Sequence, residues 1–144
     1  MKACAAALTV FALATALEAA AQSGGPSRTV TVAYYYKVKW GYQDEFLALF
    51  KKNHYPLLEA QIKSGRLVAA EAFTPRFHGD GRSDWTFLTV LVFKDWQSFG
   101  DASGEAELIK KLYPDEEKYR KDEQRRFELL EAHWDIPLNR APMK

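Results

Sequence analysis

Cysteine is all but missing from this 144-residue chain: there is one, Cys4. From residue 5 onward the chain can form no internal disulfide, no thiolate metal site and no cysteine nucleophile. An excess of charge of one sign is missing too, with 20 Lys and Arg against 19 Asp and Glu for a net charge of +1. Broad binding to nucleic acid or to an anionic membrane needs a basic excess, and this balance excludes it. There is one long apolar run, Ala3 to Leu17, and it is shorter than the roughly 20 residues that cross a bilayer. No G-x-S-x-G elbow, H-E-x-x-H pair or phosphate loop occurs, so no common motif-borne hydrolase, zinc peptidase or nucleotidase chemistry is written here.

The apolar run has the parts of a secretory leader. Lys2 is the basic start, Ala3 to Leu17 the apolar region, and Ala19-Ala20-Ala21 a small-residue cleavage site before Gln22. Residues 1–21 are therefore expected to be a signal peptide, residues 22–28 a flexible segment and residues 29–144 one domain. Cys4 falls too early in the leader to be lipidated after the apolar region. The mature protein is expected to be exported, periplasmic or secreted, with no membrane attachment after cleavage. An aromatic-rich chain with 47 % hydrophobic residues can build a core without disulfides.

Periodicity supplies the elements. Val30, Val32, Tyr34, Tyr36 and Val38 alternate along a first strand over residues 29–38. Trp40-Gly41 breaks it. A helix follows from about Tyr42 to Ser64, with Gly65 as its stop and Phe46, Leu47, Phe50, Leu57 and Leu58 on one arc. Pro56 sits inside that helix, removes the bond to the Lys52 carbonyl and should bend it. Strands are expected over residues 67–74 and from Asp84 or Trp85 to Phe93, with a turn-rich loop between them. Asp95 can cap a short helix carrying Trp96 and Phe99, and Ser103 can start another. Pro114 with Asp115-Glu116-Glu117 opens a last helix to about Glu131, with Glu117–Lys121 and Asp122–Arg126 as four-apart ion pairs. Its apolar stripe is thin: Tyr119, Phe127 and Leu130. His133 to Leu138 forms a final strand.

The fold class is α+β. Strand, helix, strand, strand, helices, strand is the ferredoxin-like βαββαβ order, with an antiparallel sheet, helices on one face and an extra C-terminal helix. The third strand is apolar on both faces, so the sheet's second face needs a cover. A second copy packed sheet to sheet supplies it, or else the C-terminal segment of the same chain does. RNA-recognition domains share this order, but Trp85-Thr86-Phe87-Leu88-Thr89-Val90-Leu91 lacks their basic, glycine-containing aromatic motif.

The runs Val38-Lys39-Trp40-Gly41-Tyr42-Gln43-Asp44-Glu45-Phe46, Asn53-His54-Tyr55-Pro56-Leu57-Leu58, Gly65-Arg66-Leu67 and Trp85-Thr86-Phe87 resemble the dimeric α/β-barrel superfamily. That group includes antibiotic-biosynthesis and haem-degrading monooxygenases, EthD-like proteins and NIPSNAP-like proteins. The resemblance covers roughly residues 29–99 and rests on element order. It implies a homodimer joined through its sheets, and a cavity between each sheet and its own helices.

Three histidines are present, and His54 is the first candidate for chemistry because it falls on the arc facing the sheet. A neutral imidazole there could act as general base, haem ligand or orienting partner, or be a core histidine satisfied by Tyr34, Tyr36 or a backbone carbonyl. Tyr34, Tyr36 and Phe50, with Trp85 and Phe87, suit a planar ligand and equally suit a core or an interface. Glu71 is a carboxylate in mid-strand, needing Arg66, Arg76 or His54 if covered and nothing if it sits at an open edge. His78, Asp80 and Asp84 cluster in a loop whose spacing matches no metal site, and His133 and Asp135 share a strand face. No metal site and no cofactor are evident, haem being the one cofactor the resemblance admits. Two functions follow: an exported dimer that binds a small apolar or aromatic molecule, or a cofactor-independent or haem-dependent monooxygenase-like enzyme.

Overall fold

The computed structural model describes residues 29–77 and 84–143. The expected leader and the segment to residue 28, and the loop residues His78 and Asp80, lie outside the described residues. Strand β1 (Val30–Val38) is followed by α1 (Gln43–Leu49), a π-helical turn (Phe50–His54) and α2 (Tyr55–Lys63). Then come β2 (Leu67–Phe73), β3 (Phe87–Phe93), α3 (Trp96–Gly100), α4 (Glu105–Leu112), α5 (Glu116–Glu128) and β4 (Leu130–Leu138). The sheet order is β2-β3-β1-β4 and every pairing is antiparallel. That is the ferredoxin-like arrangement expected from the element order. Among the described residues no helix is long and apolar enough to cross a membrane.

Alternation along the strands sorts the side chains onto two faces. Val30, Val32, Tyr36 and Val38 of β1, with Phe87, Leu91 and Phe93 of β3, are buried beneath the helices. Phe46 and Phe50 come down onto them, with ring centroids 5.7 and 4.8 Å from Phe87. The other face carries Tyr35, Leu88, Val90, Val92, Trp134 and Ile136, by the register of β1 with β3 and β4. None of the helices among the described residues covers it. The C-terminal segment adds β4 as an edge strand beside β1, and residues 139–143 beyond it are exposed.

The first helix does not simply bend at Pro56. One turn before it, the chain widens into the π-helical register, with the Tyr55 N–H reaching back to the Phe50 carbonyl. Pro56 then stands in the first turn of α2, where its missing N–H costs no helical bond. The Tyr113 hydroxyl, arriving from the α4–α5 connection, donates to Asn53 O at 2.6 Å and lies 3.3 Å from Lys52 O. Gly65, at φ +77°, closes the helix as expected, its N–H on Ile62 O and that of Arg66 on Gln61 O.

Several expectations are corrected at the C-terminal half. Helix α5 begins at Glu116, not at Pro114, because Asp115 is its N-cap and accepts from Lys118 N at 2.9 Å. Asp122 does not pair with Arg126. It takes Lys52 and Lys118, while Arg126 turns inward to Glu123. The buried stripe of α5 is Arg126 and Leu129, and Phe127 is half exposed. Strand β4 starts three residues earlier than His133, at Leu130. Asp95 caps α3 as expected, accepting from Ser98 N at 2.7 Å.

Candidate functional site

The helix-side face holds five of the residues singled out from sequence, three of them packed around Phe50. Its ring lies 5.0 Å from His54, 6.1 Å from Tyr36 and 4.8 Å from Phe87. Tyr34 stands on the same strand face and packs at the core's margin. Glu71 and Trp85 are not brought to it. Glu71 is exposed on the edge strand β2, on the opposite face. Trp85 precedes β3 and meets Tyr35 edge-on at 6.1 Å, and Tyr35 in turn stacks on Trp134 at 5.3 Å.

His54 is half-buried at the end of the π turn, and no described residue makes a hydrogen bond to its ring. Burial pushes its pKa down to about 4, with the charges of Arg126 and His133 adding to the effect. The imidazole is therefore neutral at pH 7. Burial raises the Tyr36 phenol and takes that of Tyr34 to about 12, with Asp135 adding to it at Tyr34, so both are protonated.

Arg126 is the residue that sequence reasoning missed. It is 2 % exposed, and its guanidinium holds Glu123 through Nε and Nη2 at 3.1 and 2.6 Å. Its Cζ stands 4.5 Å from the Phe127 ring centroid and 5.8 Å from that of Phe50. Nη1 is buried without an acceptor. The signal was present in the spacing: Tyr119, Glu123, Arg126 and Leu130 follow one another at three and four residues, a helix stripe whose middle two positions are an opposite-charge pair. Reading only the apolar members hides it.

His133 completes the group from β4. Its ring stacks on Tyr36 at 4.3 Å, its Nδ1 donates to Tyr35 O at 2.8 Å, and its Nε2 lies 3.3 Å from Asp135. The shared strand face of His133 and Asp135 is thus an actual contact. The site so formed is an aromatic wall with a neutral imidazole, a buried cation and two raised phenols. Among the described residues no group of three His, Cys, Asp or Glu could hold a metal ion.

No protein-family model matches the sequence, and no curated protein matches it significantly. Solved structures do match in fold. A hypothetical Arabidopsis thaliana protein solved in solution is 15 % identical, with 83 % of this chain and 92 % of that one aligned at a TM-score of 0.50. The chain is ferredoxin-like. A NIPSNAP family protein from Agrobacterium tumefaciens aligns at 15 % identity over 80 % of this chain and 95 % of its own, TM-score 0.49. SnoaB, a cofactor-independent oxygenase from Streptomyces nogalater, aligns at 12 % identity over 81 % and 96 %, TM-score 0.47. At such identities the likeness shows the fold and nothing finer.

Proposed function

We propose that the chain is an exported, homodimeric binding protein that holds a small planar, mostly apolar molecule on the helix side, against Tyr36, Phe50 and His54. The observation that carries this reading is His54: a half-buried, neutral imidazole, unmet by any described partner, set against a ring that leaves its polar atoms for something else. The bare apolar sheet face supports the homodimer, since exposed apolar areas of this extent are rare on monomers. Dimerisation by that face leaves the helix side of each copy open.

Binding is favoured over acid–base catalysis by the same imidazole. A group that takes a proton only near pH 4 is a weak base at neutral pH, whereas an efficient general base titrates close to the working pH. A neutral imidazole is, however, what an axial haem ligand must be, which makes a haem-dependent activity the second reading.

Native mass spectrometry of the exported protein tests the reading. A dimer of chains beginning at Gln22 and carrying a bound organic molecule is the expected result; a ligand-free monomer overturns it. Haem titration separates the two readings: a Soret shift that disappears in His54→Ala establishes the second.

A further inference from the structure

Arg126 carries a donor the protein does not use. Glu123 takes Nε and Nη2, and Nη1 is left buried with no acceptor among the described residues. Leaving such a donor unmet inside a protein is costly, so native structures bring it a water or a ligand atom. What surrounds this donor is flat and aromatic: Phe50, Phe127 and, around Phe50, His54 and Tyr36. Phe127, half exposed, lies against the guanidinium, with Arg126 Cζ 4.5 Å from its ring centroid.

The charges facing His54 decide the ligand's sign. From α5 come Arg126 and, tied to it, Glu123; from β4 come His133 and Asp135; from β1 come the phenols of Tyr34 and Tyr36. After burial, the influences that lower the proton affinity of His54 are those of Arg126 and His133.

We propose that the ligand of the helix-side site is a planar aromatic carboxylate, its ring against Phe50 and His54 and one carboxylate oxygen accepting from Arg126 Nη1. This rests on the reading of that face as a site for a small aromatic molecule, and adds the charge. Because Glu123 already balances Arg126, the carboxylate is met by a proton taken up on His54, and binding tightens as the pH falls from neutrality. No covalent step is involved.

The test compares two ligands of one shape, 2-naphthoate and 2-naphthamide, by titration calorimetry on the full mature protein. Naphthoate should bind at least about tenfold tighter than the amide, the factor that one charge-assisted hydrogen bond supplies. Its affinity should rise between pH 7 and about pH 5.5, and its heat should differ between buffers of different ionisation enthalpy, reporting proton uptake. Glu123→Gln, which frees the guanidinium, should strengthen naphthoate binding, and Glu123→Gln with Arg126→Gln should erase the preference while the amide still binds. Where the double variant does not fold, the ligand pair and the buffer dependence on the unaltered protein decide. Equal affinities for the two ligands, with no proton uptake, overturn the carboxylate and leave a water as the partner of Nη1, with the aromatic site intact. Binding of neither ligand overturns the carboxylate and the aromatic site together.

Discussion

The two faces of the sheet are built on opposite plans. Beneath the helices, the face is buried and yet admits polar groups: Asn53, Thr89 and Arg126 are all at most 3 % exposed. On the other side the residues are apolar and yet uncovered, with Phe73, Ile136 and Leu138 each more than 40 % exposed. A polar group in a packed interior needs a partner of matching chemistry, whereas an apolar face in water needs only area. The first plan points to a specific small molecule and the second to another protein surface of similar shape.

Substituting Val92 with Asp should separate the two plans with the largest effect. Val92 lies on the bare face, directly opposite Thr31 and Ala69. In a monomer the carboxylate stays in water and costs little. In a sheet-to-sheet dimer it is buried unpaired, at about 3–5 kcal/mol per copy, enough to leave only monomer at micromolar concentration. Sedimentation velocity reads this directly. A variant that remains dimeric places the interface elsewhere. Naphthoate binding should survive the change, because the helix side does not contain Val92.

The comparison also explains what could be read without coordinates. The face of each strand follows from alternation, so Tyr36 and Phe87 could be placed under the helices and the apolarity of β3 noticed on both sides. The arc of the first helix put Phe46, Phe50 and His54 toward the sheet, and the π turn did not undo that. Arg126 was missed despite that stripe, because a basic residue four positions after Asp122 reads as half of a solvated pair. Only the packing of α5 against α1 and the π turn decides that it faces inward. The Glu45–Arg125 pair, bidentate at 2.7 and 3.1 Å, fixes that rotation: with Arg125 held on the outside by α1, its neighbour turns in. Glu71 illustrates the converse. Its face could be deduced, but whether β2 is an edge or a centre depends on strand order, which no local pattern carries.

A smaller effect sharpens the helix-side half of the comparison through pH. His54 titrates near 4 in the folded chain and near its ordinary value of about 6.5 when unfolded. Between these values the unfolded state holds more protons, so stability rises with pH in that window. The contribution is complete above about pH 6.5 and is lost as the pH falls toward 4, amounting to about 3 kcal/mol. Urea unfolding of the dimer across this range should show the slope, and His54→Gln should flatten it. An unchanged slope in that variant assigns the acid sensitivity to carboxylates such as Asp122, which its hydrogen bond with Lys52 holds below its usual value.

The smallest effect tests how the π turn is held. Tyr113 reaches it from outside with a single hydroxyl proton, given chiefly to Asn53 O at 2.6 Å. Tyr113 also stacks on Tyr119 at 4.5 Å, so Tyr113→Phe keeps the ring contact and removes only the donor. Losing a part-buried hydrogen bond to a carbonyl costs about 1 kcal/mol, which thermal unfolding resolves. The sharper readout is the His54 imidazole resonance, one residue beyond the carbonyl that loses its partner. A shifted resonance with an unchanged dimer shows that Tyr113 sets the position of His54 from the α4–α5 connection. An unchanged resonance with a lowered melting point makes the hydroxyl a carbonyl cap and nothing more, and leaves Pro56 and the packing of α5 to hold the turn open.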